Sequence, residues 1–107
     1  MIKSFNDIRK SDLRGMVRRV DNLGRILIPK EYRSELGLES NSRIDLAVLA
    51  DGLLILPADT AGPARRIDNL GRVNIPVTAR RMLDIDFHDP LEMFLLRDGI
   101  FIRKKAE

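Results

Sequence analysis

Hydrophobic and polar positions follow the same order twice along this chain. In each half, short runs of branched apolar residues alternate with polar turns, which is typical of β-strands joined by hairpins. Each half also has apolar residues four positions apart, Tyr32 and Leu36 in the first and Ala79 and Leu83 in the second, which indicates a helix of about two turns. Each half is therefore predicted to be a ββαββ unit. The predicted strands cover residues 16–20, 25–28, 43–49 and 53–56, and then 64–67, 72–75, 91–96 and 100–103.

The pattern recurs because part of the sequence recurs. The segment VRRVDNLGRILIP at residues 17–29 returns 47 positions later as ARRIDNLGRVNIP at residues 64–76. The offset holds without a gap, and residues 15–60 share 16 identities in 46 aligned pairs with residues 62–107. A fixed period of this length indicates two copies of one supersecondary unit. We therefore predict an N-terminal arm at residues 1–14, a first repeat at 15–57, a linker at 58–63 and a second repeat at 64–105.

The ends of the predicted elements are marked by residues with special backbone preferences. Both repeats contain the turn sequence Asp-Asn-Leu-Gly, in which Asp and Asn bond the local backbone and Gly takes a positive φ. Pro29 and Pro76 cannot donate a strand hydrogen bond, and they suit the first turn of the helix that follows. The Asp-Gly pairs at residues 51–52 and 98–99 predict tight hairpin turns.

Composition restricts the class of protein. The 107 residues are 44% hydrophobic and 33% charged, which describes a folded domain rather than a disordered chain. The sequence contains no cysteine, so a disulfide framework and thiolate metal sites are excluded. No apolar run reaches the roughly 18 residues that a membrane helix needs. We therefore expect a cytoplasmic protein without a membrane partner.

The charge of the chain is modest, but its type is informative. The net charge is +3, and 14 of the 19 basic residues are arginines. Many of these arginines cluster around the repeated turn, at equivalent positions in both repeats. The planar guanidinium group suits phosphate and the edge of guanine. The clustering therefore favours a binding surface for nucleic acid over an ordinary solvated surface.

The repeated unit resembles the SpoVT/AbrB family, the DNA-binding domains of bacterial and archaeal transition-state regulators, which are related to MazE-type antitoxins. The resemblance rests on the string VRRVDxLGRIxIPKxxRxxLGL at residues 17–38 and on its partial return in the second repeat. The second copy departs where LGL at residues 36–38 becomes LDI at residues 83–85. The resemblance implies a mainly β fold with short helices, a swapped-hairpin β-barrel in which two ββαββ units interlock. A double-psi β-barrel uses nearly the same elements and stays open as the alternative topology.

In that family the two units usually come from two chains, whereas this chain carries both. We expect an intrachain pseudo-dimer, because two positions differ in size in opposite directions between the repeats: Tyr32 corresponds to Ala79, and Ala47 to Phe94. A shared core would then keep its total volume. The alternative is that each repeat pairs with its own copy in a second chain.

The resemblance also implies which side chains contact DNA, namely basic residues on the first strand, just after the turn and on the short helix. The second repeat has paired arginines on its helix, whereas Ser34 replaces one of them in the first repeat and Lys30 lies one turn from Arg33. Arg19 and Arg66 should face away from their neighbours on the strand. The predicted DNA-binding residues are Arg18, Arg25, Lys30, Arg33, Arg65, Arg72, Arg80 and Arg81.

Two equivalent arginine clusters also suit duplex DNA on physical grounds. They match its near two-fold symmetry, as other dimeric DNA readers do. Phosphate contacts would position the domain, and one or two arginines per repeat would reach guanine edges. No aromatic residue lies near the turns in the sequence, which favours double-stranded over single-stranded DNA. We therefore predict a sequence-preferring transcriptional regulator that binds double-stranded DNA.

Two other classes of protein are less well supported. The Asp-Gly pairs lack the hydroxyl residue of an aspartic protease, no Gly-Ser pair exists for a pyruvoyl enzyme, and His88 is the only histidine. We therefore predict no catalytic residue, no metal site and no cofactor. An antitoxin or other protein-interaction module is the alternative function, although we expect a tail that wraps a toxin to need more residues than those after Arg103. Residues 1–14 are the expected place for further assembly into a homo-oligomer.

Overall fold

The fold is taken from a computed structural model that describes residues 10–58 and 65–105. The predicted linker lies outside these residues except for Ala58, and residues 1–9 of the predicted arm lie outside them as well. The elements, in chain order, are β1 (Lys10–Arg19), β2 (Arg25–Leu27), α1 (Lys30–Leu36), β3 (Arg43–Val48), β4 (Leu53–Pro57), β5 (Arg65–Arg66), β6 (Arg72–Asn74), α2 (Val77–Met82), β7 (Pro90–Leu96) and β8 (Ile100–Lys104).

The predicted fold class, mainly β with short helices, is confirmed, and the elements follow the predicted order in both halves. Most predicted ends differ from the observed ones by one or two residues, and the largest difference is at β1. This strand begins at Lys10, within the segment predicted as the arm, because it pairs there with β7. Lys10 opposes Leu96, and Gly15 opposes Phe94 after a shift in register. A long-range pairing therefore extends β1 beyond its local pattern.

Both helices begin directly after a proline, as predicted, and a residue in the left-handed backbone region follows the C-terminal end of each. Gly37 ends α1 with a φ of 66°, a conformation that glycine adopts easily. At the equivalent position of the second repeat, Asp84 has a φ of 56°. The second repeat therefore keeps the backbone of the first at a place where its sequence departs from the repeated string.

Four of the six strand pairings among the described residues join the two halves of the chain. β1 of the first half lies against β7 of the second, and β5 of the second half lies against β3 of the first. β2 pairs with β6 and β4 with β8, so these pairs join equivalent strands. All six pairings are antiparallel. They form a six-stranded sheet in the order β1-β7-β8-β4-β3-β5 and a two-stranded ribbon of β2 and β6.

The main apolar cluster is built by both halves. It contains Ile26 and Ile44 from the first half together with Val73 and Met93 from the second, all at most 1% exposed. No polar or charged residue of the described chain is buried. A smaller cluster lies apart from it and consists of Leu54, Phe94, Leu96 and Phe101. Since one cluster draws on both repeats, each half depends on the other for its burial of apolar surface.

The predicted exchange of core volume between the repeats is wrong. Tyr32 and Ala79 are both buried in the main cluster, where the Tyr32 hydroxyl donates a hydrogen bond of 3.1 Å to the carbonyl oxygen of Met93 in the other half. Phe94 instead packs in the smaller cluster, and Ala47 is exposed. The pair Tyr32 and Ala79 therefore lies in a different part of the molecule from the pair Ala47 and Phe94, so a change of side-chain volume in one pair cannot compensate for a change in the other.

Candidate nucleic-acid interface

The repeated turns are organised by an aspartate at their first position. In the first turn, residues 21–24, the Asp21 carboxylate accepts hydrogen bonds from the backbone N–H of Leu23 at 2.9 Å and of Arg25 at 2.8 Å. It also accepts one from Arg25 Nε at 2.8 Å. In the second turn, residues 68–71, Asp68 makes the same three bonds with Leu70 and Arg72, at 2.9, 2.8 and 2.8 Å. Each aspartate therefore shapes its turn and also orients the arginine that follows it.

These contacts keep both carboxylates ionised. Burial acts to raise the pKa of Asp21, but the backbone N–H groups of Arg25 and Leu23 and the guanidinium of Arg25 outweigh it and hold the pKa below its ordinary value of 3.8. The pKa of Asp68 is lowered against the same opposing effect of burial, by the N–H of Arg72, its guanidinium and the N–H of Leu70. A charged acceptor makes these hydrogen bonds stronger than neutral ones.

Each turn ends on a glycine that lies under an arginine from the opposite repeat. Gly24 and Gly71 have φ values of 80° and 86°, which glycine adopts without steric cost. A Cβ atom built on Gly24 would lie 3.0 Å from Cζ of Arg80, and one on Gly71 would lie 2.7 Å from Cζ of Arg33. The helix arginine of each repeat therefore lies beside the turn of the other repeat.

The two helix arginines are held in the same way as the two turn arginines, by a bond to Nε. Arg33 Nε donates to the carbonyl oxygen of Ile28 at 3.1 Å, and Arg80 Nε donates to that of Ile75 at 2.9 Å. In all four arginines, the Nε bond fixes the guanidinium and leaves the two Nη groups as further donors. Each of the four side chains is half-buried. The guanidinium groups are therefore pre-oriented by the fold rather than spread over a mobile surface.

The ribbon of β2 and β6 brings the two turns together. Ile26 opposes Val73 at its centre, and both are buried, at 1% and 0% exposure. Because side chains alternate along a strand, the residues on either side of this pair point to the opposite, outer face. Arg25 opposes Asn74 there, and the remaining pair on the outer face is Leu27 with Arg72.

Asn74 and Leu27 were not among the predicted site residues, although the structure places them beside the turn arginines. Asn74 is exposed, and its side-chain Nδ2 donates to the carbonyl oxygen of Leu23 in the first turn at 3.2 Å. Leu27 is 40% exposed, which is high for a large apolar side chain. The signal that would have found them is the two-residue alternation of the strand after each turn, counted outward from the arginine.

The remaining predicted residues lie at other places in the fold. Arg18 is half-buried on β1, where its Nη1 donates to the carbonyl oxygen of Val17 at 2.8 Å. Arg65 is exposed on β5, and β1 and β5 are the two outer strands of the six-stranded sheet. Lys30 and Arg81 are exposed on α1 and α2. The structure thus groups Arg25, Arg72, Arg33 and Arg80 around the ribbon, whereas the other four predicted residues lie on β1, β5, α1 and α2 without a contact to this group that the structure records.

Arg19 and Arg66 brace loops of the opposite repeat. Arg19 Nη1 donates to the carbonyl oxygen of His88 at 2.9 Å, and Arg66 Nη1 donates to that of Asn41 at 3.0 Å. His88 and Asn41 are equivalent by the 47-residue offset and have φ values of 68° and 69°. These two arginines therefore have a structural partner that the sequence did not reveal.

One aromatic side chain lies close to the site, which corrects the expectation that none does. The Phe87 ring is 48% exposed, and its centroid lies 5.2 Å from Cζ of Arg80. An arginine over an aromatic face is held by a cation–π attraction. Phe87 is far from the first turn in sequence, and the helix arginine that crosses between the repeats brings it close.

Neither a metal centre nor a membrane helix is found in the part of the chain that the structure describes. Residues 10–58 and 65–105 contain no group of three or more His, Cys, Asp and Glu side chains that could hold a metal ion. The helices α1 and α2, with seven and six residues, are too short to span a bilayer.

Comparison with known proteins supports the resemblance on which the sequence analysis relied. Residues 17–62 match the family model described as "Antidote-toxin recognition MazE, bacterial antitoxin". A 42-residue segment is 59% identical to Stage V sporulation protein T of Bacillus subtilis, and it covers 39% of this chain and 24% of that protein. The chain thus corresponds to about a quarter of that relative's length.

The fold also has a counterpart among solved structures. The solution structure of a protein from Pyrococcus horikoshii superposes with a TM-score of 0.54 at 24% identity, covering 91% of this chain and 99% of the other. At this identity the match speaks for the fold alone. The family model and the matched segment of Stage V sporulation protein T confirm the resemblance to SpoVT/AbrB- and MazE-type domains.

Proposed function

We propose that this protein is a regulator of the AbrB/SpoVT type that binds double-stranded DNA through the surface formed by the ribbon and its two turns. The observation that carries the proposal is the set of four arginines, Arg25, Arg72, Arg33 and Arg80, each fixed through Nε. Fixed guanidinium groups lose less freedom on binding than mobile ones, so they recognise a regular ligand at lower entropic cost.

The arrangement of these arginines suits a duplex. The turn arginines lie two residues apart along the ribbon, which is about 7 Å, and each has a helix arginine at its own turn. Guanidinium groups bind phosphates and the O6 and N7 atoms of guanine. Arg18, Lys30, Arg65 and Arg81 would contribute phosphate contacts around this centre, which position the protein without reading sequence. As a DNA-binding regulator, the protein is proposed to act in the cytoplasm.

Binding should be tested by fluorescence anisotropy with A·T-rich duplexes between about 50 and 200 mM salt, because released counterions make DNA affinity depend steeply on salt. The wild-type protein should bind, and the logarithm of its affinity should fall linearly with the logarithm of the salt concentration. The double variant Arg25→Ala/Arg72→Ala should lose most of this binding and have a shallower salt slope.

A matched control separates the proposed surface from charge alone. Arg97 is exposed and directly follows the C-terminal end of β7. The N-terminal end of β7 lies near the first turn, because the backbone N–H of Val20 donates a hydrogen bond to the carbonyl oxygen of Asp89. Seven residues of strand put Arg97 about 20 Å from that end. Arg97→Ala should bind as the wild type does, while Arg25→Ala, which removes the same charge, should bind more weakly. Equal losses in the two variants would contradict a specific arginine surface.

An antitoxin-like module is the second candidate function. It is favoured by the description of the family model that matches residues 17–62. A folded wild-type protein that shows no affinity for any duplex at 50 mM salt would overturn the regulator and leave a protein partner as the better explanation. Circular dichroism of the same samples establishes that the protein is folded.

A further inference from the structure

The two turns are equivalent in backbone, and an approximate two-fold axis relates them. The 47-residue offset exchanges Arg25 with Arg72 and Leu27 with Asn74. The ribbon obeys the same exchange, because Arg25 opposes Asn74 where Leu27 opposes Arg72. The axis therefore passes near the central pair of Ile26 and Val73.

Each turn, together with the residues that the other repeat places beside it, forms one half-site. The first half-site consists of Arg25 from the first turn and of Asn74, Arg80 and Phe87 from the second repeat. The second half-site consists of Arg72 from the second turn and of Leu27 and Arg33 from the first repeat. The interleaved fold thus gives each half-site residues from both repeats.

The half-sites share their arginines but differ in chemistry beside them. Asn74 offers an amide to the outer face where Leu27 offers only methyl groups. Phe87 supports Arg80 in the first half-site, whereas the equivalent residue in the first repeat is Ser40. On the outer face of the ribbon, the first half-site therefore offers an amide where the second offers only methyl groups, and the helix arginine of the first half-site has an aromatic support that the second lacks.

The helices that flank the half-sites differ as well. α2, beside the first turn, carries Arg80 and Arg81 and no acidic residue. α1, beside the second turn, carries Lys30 and Arg33 together with Glu31 and Glu35. Because DNA is uniformly negative, the flank of the first half-site should hold its phosphates more strongly than the flank of the second.

We propose that the two half-sites read different base sequences, so that the protein binds a non-palindromic duplex in one orientation. This inference rests on the proposed DNA-binding function. An asparagine amide can bond the N6 and N7 edge of adenine, whereas an exposed leucine can only contact the methyl group of thymine. Asn74 and Leu27 are the residues that set this difference.

Selection from a pool of random duplexes is the first test. The sequence enriched by the wild-type protein should be non-palindromic. At the base that Asn74 contacts, the selected sequence should prefer adenine by about tenfold over other bases, because one good base contact discriminates by about that factor. Enrichment of a palindrome would overturn the inference.

Orientation is tested by directed cleavage of the selected duplex. The chain has no cysteine, so Asn22→Cys and Asn69→Cys provide single thiols for an iron chelate at equivalent, exposed positions in the two turns. In one orientation, the chelate on the first turn should cleave on one side of the site and the chelate on the second turn on the other side. Cleavage on both sides by each protein would show that the protein binds in both orientations and would overturn the inference.

Exchange of the two residues tests their role directly. Leu27→Asn/Asn74→Leu should reverse the cleavage pattern of both chelates, since the exchange moves the amide to the other half-site. Leu27→Asn alone should give both half-sites the same residue on the ribbon and reduce the preference for one orientation by about tenfold. If both variants bind in the wild-type orientation, Asn74 and Leu27 do not set the orientation, and the role proposed for these two residues is wrong.

The failure of this inference is distinguishable from the failure of the proposed function. If the wild-type protein binds no duplex at 50 mM salt, the DNA-binding function itself is wrong. If it binds and enriches a palindrome, the function stands and only the orientation is wrong. Both exchanged positions are exposed, and circular dichroism checks that the exchanged protein is folded.

Discussion

At the scale of single residues, the turns combine a conformational and an electrostatic requirement. The aspartate must be ionised to accept three hydrogen bonds, and the glycine must have a positive φ beneath the opposite helix arginine. Both requirements are met by residues only three positions apart, from Asp21 to Gly24 and from Asp68 to Gly71. Each can be disturbed separately by a single substitution.

The aspartates should make the stability of the fold depend on pH in the acid range. Their folded-state pKa values are below the ordinary value of 3.8, so the unfolded state binds protons first as the pH falls. Stability is therefore fully present above about pH 4 and is lost as the pH falls through the folded-state pKa values. Asp21→Asn/Asp68→Asn should be less stable at neutral pH and should lose stability less steeply on acidification, as measured by urea unfolding from pH 6 to 2.5. A slope identical to that of the wild type would contradict this linkage.

The turn glycines should tolerate alanine less well than a glycine that has open space. Gly24→Ala introduces a Cβ at a φ of 80° and 3.0 Å from Arg80 Cζ, so it should lower the free energy of unfolding by about 1 to 2 kcal/mol. Gly37→Ala is the control, because its φ is 66° and nothing lies within 4 Å of the added Cβ. The difference between the two, measured by chemical denaturation, isolates the contact with Arg80. If the two variants are equally stable, that contact does not matter.

At the scale of elements, the ribbon and the helices depend on contacts outside themselves. Strands of three residues are too short to be stable alone. Beyond the ladder, the Ile28 N–H donates to the Gly71 carbonyl at 2.9 Å, and the Ile75 N–H donates to that of Gly24 at 2.8 Å. These bonds tie the end of each strand to the turn of the other repeat, so the ribbon and the two turns form one unit.

Helix α1 should be anchored to β7 by the hydroxyl of Tyr32. Tyr32→Phe keeps the buried ring and removes the 3.1 Å hydrogen bond to the carbonyl oxygen of Met93. The expected loss is about 1 kcal/mol in the free energy of unfolding, which is typical of one buried hydrogen bond. Thermal and urea denaturation measure it, and Tyr32→Ala, which also creates a cavity, should cost about 3 to 5 kcal/mol. Tyr32→Phe with wild-type stability would show that the ring alone anchors α1.

At the scale of the whole molecule, the pairing of β1 with β7 and of β5 with β3 makes the two halves interdependent. We propose that the protein is a single-chain pseudo-dimer in solution, with the divisions into repeats and linker that the sequence predicts. Neither half contains the partners of its own first strand. The repeats should therefore stay together even when the chain between them is cut.

A protease site inserted between residues 58 and 65 tests this proposal. After cleavage, the two fragments should elute together in native buffer with the mass of one chain, and the circular dichroism spectrum should be unchanged. They should separate only in denaturant. Light scattering gives the mass, and a cleaved species with twice the mass would indicate that the strands pair between two chains. Two separately folded fragments would contradict the shared core.

The repeat in the sequence predicted the fold class and the order of elements because these depend on local patterns. The Asp-Asn-Leu-Gly turns, the proline before each helix and the spacing of Tyr32 and Leu36 all act within a few residues. The start of β1 was predicted wrongly because its pairing with β7 involves residues more than 70 positions away. Volume compensation between Tyr32 and Phe94 failed for the same reason, since sequence does not show which cluster a side chain joins.

In the candidate site, too, the arginines could be predicted from the sequence but their arrangement could not. All four arginines around the ribbon are among the residues that the family resemblance implied, and they recur at equivalent positions of the repeat. Their grouping could not be predicted, since Arg33 lies beside Gly71 and Arg80 beside Gly24 only when the halves interleave. Asn74 and Leu27 were missed although the alternation of the strand after each turn indicates them. Phe87 was missed because it comes close to the first turn only through Arg80, which crosses between the repeats.

From the amino-acid order alone follow the two ββαββ units, the turns and the arginines at their ends, since each of these rests on residues close together in the chain. The exchange of strands between the halves, the crossing of each helix arginine to the opposite turn and the unequal half-sites arise from contacts between residues roughly 20 to 85 positions apart. Burial of a common apolar cluster selects those contacts, because a unit of about 45 residues buries only a small fraction of its surface when it folds alone.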